Sequence, residues 1–498
     1  MTESLIIIGA GIAGLSAGCY GQMNGYRTQI FELHDKPGGL CTSWKRKGYT
    51  FDGCIHWLVG SKAGSNMNRV WQELGATQDR QMVDHEEFLR VEGPDGKAFI
   101  IYTDVDRLER HLKELAPADT KQIDELCRMI RRFTRLSEST DSGSGFLNKI
   151  VSALRMIPLM PAMIKYAKMS IQEFAARFTD PFLRQSFAAV FDMPDFPVIA
   201  LMMTLAWMHM GDAGYPIGGS LEFARGIERR YLDLGGEIHY RSRVSKILVE
   251  NDRAVGIRLT DGTEHRADTV ISAADGHATI FDMLEGKYAD DKVRGYYDEW
   301  PIFQPIIQVS LGVNRDLSDE PHMVLFPPDE PIVIAGEERT QITLKHYCYD
   351  PTLAPEDKSV LALMFPSNHG YWKELSGEQE RYDAEKKDIA IKVIEQLEKR
   401  FPGIGRQVEV VDVATPMTFE RYTGNWQGSM EGWLPTTKNM SMGPGRGMDK
   451  TLPGLDGFYM VGQWVEPGGG LPPAATSGRG VISAICKRDG KTFTTETP

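Results

Sequence analysis

Residues 5–8 (LIII) form an unbroken apolar run of strand length that ends directly on glycine. A helix-compatible stretch follows over residues 13–23, and a second short strand, 28–31, ends at Glu32. Residues 49–53 (YTFDG) predict a strand and a turn. Residues 108–136 alternate apolar positions at helical spacing with many charges and predict surface helix. The polar stretch 137–146 (SESTDSGSGF) predicts a linker. Further on, the Gly218-Gly219 turn opens a helix over 221–234. Two strands, 244–249 and 254–259, are joined by the turn 250–253, and another strand is predicted at 268–273. Residues 383–401 carry Ala390, Val393, Ile394, Leu397 and Phe401 on one helical face and stop at Pro402-Gly403. The last strand, 458–461, runs through Gly462 to the triplet Gly468-Gly469-Gly470, with helix-compatible residues from Ala474.

Two further apolar blocks stand apart. Between Ser142 and Gln172 there is no Asp or Glu, although the chain as a whole is acidic. Leu147, Ile150, Val151, Leu154 and Ile157 share one face, and Pro158 and Pro161 interrupt the pattern. Lys149, Arg155, Lys165 and Lys168 add local positive charge. Such a segment suits the interface of an anionic bilayer and is too broken to span one; it equally suits an internal wall. The second block, residues 198–210, holds Met202, Met203, Met208 and Met210. Adaptable side chains of this kind suit a long greasy ligand or an irregular core.

With 498 residues, 42% of them hydrophobic and 25% charged, the chain is of ordinary globular composition and long enough for two or three domains. A net charge of −12 argues against general nucleic-acid binding. The six cysteines form no C-x-x-C pair or metal-type cluster, so they read as reduced thiols of a cytoplasmic protein, and no metal site is expected. The apolar N-terminus lacks the basic flank of a signal peptide.

The first strand, turn and helix have a specific chemistry. In G-A-G-I-A-G, Gly9 permits the tight turn, Gly11 lets backbone approach a pyrophosphate, and Gly14 lets helix and strand pack closely. The helix N-terminus offers unpaired N–H groups to phosphate oxygens, and Glu32 stands where an acid accepts from an adenosine ribose. A glycine doublet, Gly38-Gly39, follows a few residues later, in the stretch "PGGLCTSWKRKGYTFDGCIHWLVGS" (37–61). Close backbone approach at this doublet suits a flavin dinucleotide better than a nicotinamide one. The basic run 44–47 is positioned to screen phosphate charge.

Residues 9–61 resemble the FAD-binding segment of the glycine-doublet flavoproteins, and within them the phytoene desaturase, carotenoid isomerase and retinol saturase branch. Three later blocks carry the same resemblance. They are "YPIGGSLEFARGIERRYLDLGGEIHYRSRVSKILVENDRAVGIRLTDG" (215–262), "YDPTLAPEDKSVLALMF" (349–365) and "FYMVGQWVEPGGGLPPAATSGRGVISAI" (458–485). The resemblance implies an α/β fold: a Rossmann-like FAD-binding domain built from residues 1–75, 215–285 and 421–498. A mixed α+β substrate domain over 286–420 is inserted into it, with a helical region over 76–214 that contains the membrane-docking candidate 142–172. It also implies cofactor contacts from Gly9, Gly11, Ile12, Ala13, Gly14, Glu32, Gly38, Gly39, Leu40, Val244, Gly462, Gly469, Gly470, Leu471 and Ala474. Many relatives carry Arg directly after the doublet; this chain has Leu40, with Lys45 or Arg46 as the nearest substitutes.

The implied reaction is FAD-dependent oxidoreduction at C–C or C=C bonds of a polyene or other lipophilic substrate. Desaturation, saturation and flavin-assisted isomerisation all fit. His56 and Glu466 are the catalytic candidates, since either could exchange a proton beside the ring, and Trp57 and Trp464 are the pocket candidates. Structural roles for all four stay open. No second strand-linked glycine fingerprint occurs, so the electron donor or acceptor is an unassigned partner. A flavin amine oxidase and a non-catalytic lipid-binding escort protein of the same architecture are the alternatives. The expected place is cytoplasmic, with a peripheral position on the inner face of a membrane if the acid-free segment docks.

Overall fold

The computed structural model describes the chain apart from residues 1–2, 94–95, 141–156, 192, 194, 440–446 and 467, and it describes side chains of the helix Thr120–Thr140 only up to residue 135. A five-stranded parallel sheet is drawn from well-separated parts of the chain. Its order is Glu237–His239, Arg27–Phe31, Ser4–Ile8, Thr269–Ser272, Phe458–Met460. A parallel sheet is covered on both faces, which is why its central strand is a continuous apolar run rather than an alternation. Leu5, Ile6, Ile7 and Ile8 are all buried.

The helix Ile12–Met23 is buried all round over its first ten residues. It packs against the final helix, Leu471–Arg488, and against Gly219–Asp233. Small residues permit this. A Cβ at Gly14 would lie 2.0 Å from Gly9 O, a backbone atom that cannot step aside. The hydroxyl of Ser16 donates to Ala475 O at 2.6 Å, tying the first helix to the last.

A seven-stranded sheet carries the second layer, in the order Val408–Ala414, Ile306–Val313, Ser359–Pro366, Ile342–His346, Met323–Phe326, Glu87–Glu92, Ala98–Tyr102. All its pairs are antiparallel except Met323–Phe326 with Glu87–Glu92. The helix Gln379–Arg400 lays Ile389, Ala390, Val393 and Leu397 into the same core as this sheet. A helical layer completes the fold. Val105–Leu115, Thr120–Thr140 and Val198–His209 share a core that includes Leu108, Leu112, Ile123, Ile130, Leu201 and Leu205. Among the described residues, no helix is long and apolar enough to cross a membrane.

Three local expectations change. The helix expected over 108–136 is two helices, because Pro117 cannot continue the first and opens a short 3₁₀ turn, Pro117–Asp119. These helices are also not merely superficial, since one apolar face of each enters the core. Of the expected linker 137–146, residues 137–140 instead continue the second helix, which runs to Thr140, and the remainder lies outside the described residues. Nearly half of the acid-free segment, residues 142–156, also lies outside them. Its described end, Ile157–Leu159 and Met160–Ala167, is helical and leaves Ile157, Met160 and Ile164 exposed at 61%, 42% and 50%.

Candidate active site

A single cavity of about 1280 Å³ runs from the glycine turn after the first strand to the helix Val198–His209. At one end it is lined by Gly9, Gly11, Ile12, Ala13, Glu32, Gly38, Gly39, Leu40 and Val244. Gly462, Gly469, Gly470, Leu471 and Ala474 line it further along, together with His56, Trp57, Trp464 and Glu466. Gly14 does not line it and serves the helix–turn contact instead.

The cradle is shaped by backbone. Gly9 sits at φ +98°, a conformation that L side chains rarely adopt, and turns the chain. The doublet is then folded back onto that turn: Gly38 N–H donates to Ala10 O at 2.9 Å, and Gly11 and Gly38 form an isolated parallel bridge. Neither the first helix nor the final helix has a side-chain cap at its N-terminus, where Gly11 and Gly470 stand. The first N–H groups of the first helix are therefore left for a ligand, whereas the final helix, which opens Leu471-Pro472-Pro473, offers only those of Leu471 and Ala474 in its first turn. Glu32 accepts from Ala10 N–H at 2.6 Å and from His34 N–H at 2.7 Å, which fixes its carboxylate at the cavity wall with lone pairs to spare. Burial raises its pKa against the pull of these donors. Two uncapped helix ends, a glycine-lined trough and a fixed acid at the strand end fit an extended dinucleotide such as FAD.

The basic run 44–47 does not reach this trough. Residues Ser43–Arg46 pair with Tyr49–Asp52 in a hairpin, where the Arg46 guanidinium meets Asp412 and neither Lys45 nor Arg46 lines the cavity. Lys45, Arg46 and Lys47 are all exposed where this hairpin turns. Arg243, beside Val244, is the one cation among the described lining residues. Its only sequence signal was its position next to Val244, a residue the resemblance assigns to the cofactor.

The strip after the hairpin is pinned from within. Asp52 accepts from Ser220 N–H and from the Ser220 hydroxyl, both at 2.6 Å, and from Cys54 N–H at 3.0 Å. Ser220 Oγ in turn accepts from Ile55 N–H at 2.8 Å. This network holds His56 at the cavity wall. Behind it, Lys345 Nζ lies 2.9 Å from His56 Nδ1 and 4.5 Å from the centre of the Tyr347 ring. Burial, and secondarily the Lys345 charge, hold His56 well below its usual pKa. At neutral pH the imidazole is therefore uncharged. Lys345, fully enclosed, is brought down to about 7 by burial, with Asp52 and Cys54 opposing the shift. Lys345 escaped sequence reading because 289 residues separate it from His56.

Trp57 packs edge-on against Phe88, with ring centres 5.3 Å apart, and beside Phe191. Trp464 belongs to another aromatic cluster, with Trp433 at 5.2 Å and Tyr297 at 6.4 Å, and its buried Nε1 has no hydrogen-bond partner among the described residues. Glu466 lines the cavity while its carboxylate is engaged by Lys450. The far end is apolar, with Phe191, Phe196, Ile199, Met203 and Trp207 in its wall. Of the four methionines in the apolar block, Met203 faces this space and Met202 is buried in the core. Buried Asp275 also reaches the wall. Its pKa is raised by burial to about 7 even though it accepts from Ala278 N–H and Trp426 N–H.

A family model described as flavin containing amine oxidoreductase matches residues 12–485. A prolycopene isomerase of Arabidopsis thaliana chloroplasts is 26% identical over 496 residues, covering 95% of this chain and 81% of the relative. A neurosporene-forming phytoene desaturase of Rhodobacter capsulatus is 26% identical over 507 residues, covering 96% of this chain and 93% of the relative. Among solved structures, an oxidoreductase from Methanosarcina mazei superposes with a TM-score of 0.62 at 20% identity, covering 96% of this chain and all of the other.

Proposed function

The chain belongs to the flavin containing amine oxidoreductase family, and from that premise we propose that it is an FAD-dependent desaturase or isomerase of a lipophilic polyene. The observation that carries this reading is the continuity of one cavity, from the glycine trough into an apolar chamber walled by Phe191, Phe196, Met203 and Trp207. Two relatives named for polyene desaturation and isomerisation support it. When bound, FAD supplies a two-electron acceptor or donor at its ring.

The chain's own residues supply position and enclosure. The N-termini of the first and final helices and the acid Glu32 hold the dinucleotide. The pinned strip 52–56 brings neutral His56, backed by Lys345, to the boundary between trough and chamber. Trp57 closes against Phe88 and Phe191, and the apolar wall excludes water from the reacting carbons. The test is anaerobic incubation of the FAD-loaded protein with phytoene and with prolycopene, reading products by their absorption spectra. Conversion of either supports the reading. Failure with both, alongside turnover of an amine, overturns it.

We further propose that the lipophilic substrate is collected at an anionic membrane surface. The exposed residues Ile157, Met160 and Ile164 recur at intervals of three and four, so they share a face. The adjacent Tyr166 and Ala167 enter the same core as the chamber-lining helix. Lys168 is exposed beside them, whereas Lys165 is held by Glu125 at 2.8 Å and its charge is largely spoken for. Replacing Ile157, Met160 and Ile164 together by Ser is expected to weaken co-sedimentation with phosphatidylserine vesicles by roughly tenfold or more, from lost apolar burial. Unchanged binding would remove the surface from consideration.

A further inference from the structure

Glu431 lies in the cavity wall, and its carboxylate has no hydrogen-bond or ion-pair partner among the described residues. A Cβ at Gly469 would sit 2.1 Å from Glu431 Oε2 and 3.1 Å from Phe303 Cζ. The carboxylate therefore rests on the backbone of the glycine run, with an aromatic ring closing over the same point. Every other carboxylate in the wall has a fixed engagement. Glu32 accepts from Ala10 and His34 N–H, and Asp212 from Lys62 N–H and the Ser65 hydroxyl. Asp275 accepts from Ala278 and Trp426 N–H, and Glu466 pairs with Lys450. Glu431 alone is set against apolar surface without a structural task. A carboxyl group so placed holds its proton to a higher pH than a solvated one, because the charged form loses water and gains no donor in return. Burial raises its pKa to about 7, where acid and conjugate base are both accessible.

We propose that Glu431 is the catalytic residue that exchanges a proton with a carbon of the substrate polyene. The inference rests on the polyene reading above. The carboxylic acid adds its proton to one carbon of a conjugated double bond, and the π electron pair becomes the new C–H bond. The positive charge spreads along the polyene, and the former double bond rotates as a single bond. The carboxylate then removes a proton from the same carbon, whose C–H pair restores the double bond in its new geometry. Nothing is oxidised or reduced in this exchange.

The test compares the FAD-loaded wild type with Glu431→Gln and Glu431→Asp in D₂O, using prolycopene in detergent micelles. Deuterium in recovered substrate and product is read by mass spectrometry. The wild type is expected to wash solvent deuterium into the polyene. Glu431→Gln should keep its flavin spectrum yet lose exchange and turnover by roughly 10²–10⁴-fold, the range for loss of a general acid, and Glu431→Asp should recover part of both. Infrared difference spectra of wild type minus Glu431→Gln should also show a protonated carboxyl band below pH 7 that fades above it. Deuterium exchange by Glu431→Gln at the wild-type rate, or no such band, overturns the role of Glu431 while leaving the polyene reading intact. A wild type that converts no polyene but shows the band overturns the polyene reading, and with it this substrate for the acid.

Discussion

Gly11→Trp is expected to give a folded protein without colour. Gly11 has φ −67° and ψ 174°, an extended conformation open to any residue. A Cβ there meets nothing nearer than Gly38 O at 4.0 Å, so the protein itself tolerates a side chain. The indole would project into the trough that Gly11 lines, where the proposed site has a pyrophosphate approach the backbone. The loss in FAD affinity should be roughly 100-fold or more, from steric exclusion at the closest backbone contact. Visible absorbance of the purified variant checks the first half of this expectation. Thermal unfolding checks the second: the variant should match wild type stripped of FAD and should gain nothing from added FAD. Gly9→Ala is the contrasting control, because φ +98° and a backbone oxygen at 3.2 Å place its cost in the fold itself. A yellow, fully loaded Gly11→Trp protein would show that this turn does not hold the cofactor.

Lys345→Met should raise stability at neutral pH and flatten its rise towards alkaline pH. The buried ammonium has its pKa lowered to about 7, against 10.5 for an ordinary lysine. Below about pH 7 both folded and unfolded chains carry the proton, and the full cost of burying charge falls on the native state. Between there and the unfolded value the unfolded chain binds the proton that the native state gives up, so stability climbs with pH; above it the contribution is gone. A methionine of similar length removes this dependence. It leaves His56 Nδ1 without its partner, which costs about 1 kcal/mol, so the net gain at pH 7 should be roughly 2–4 kcal/mol. Asp52 keeps its Ser220 and Cys54 donors, so no carboxylate is orphaned. The neighbours whose titration could blur the profile are Asp52, raised by burial against the pull of Lys345, and His56, His85, His322 and His346, all held below their usual values by burial. Urea unfolding from pH 6 to pH 10 measures the difference. Parallel wild-type and variant curves would mean that Lys345 is not buried as a cation. A buried cation that costs stability directly behind a cavity-lining histidine is the expected signature of selection for activity, so the same variant should turn over more slowly.

What the sequence disclosed was what neighbouring residues decide together. Strand, glycine turn, helix and Glu32 lie within the first 32 residues, and each constraint acts over a few positions. The final strand and its glycine triplet were readable for the same reason. Pairings across the chain were not. Lys345 behind His56, Glu431 against Gly469, and Arg243 in the trough are set by how distant strands stack, and no local spacing encodes that. Lys45 and Arg46 show the complementary error, since basic residues near a phosphate site in sequence were turned away from it by a hairpin. Pro117 was legible as a helix breaker, and the surrounding charge pattern obscured it.

The five-stranded sheet also has a consequence for how the protein comes into being. Its central strand is residues 4–8, yet one neighbour is residues 269–272 and the edge strand beyond is 458–460, and the first helix is locked to the last through Ser16 and Ala475. During synthesis the N-terminal cradle must wait for almost the whole chain to emerge before its flank is closed, with the apolar helix Ile12–Met23 uncovered meanwhile. Such non-local wiring makes for slow maturation and a long window of exposure to aggregation. A nascent chain of this kind calls for chaperone shelter, and it gains a lasting grip on its flavin only as the last step of its assembly.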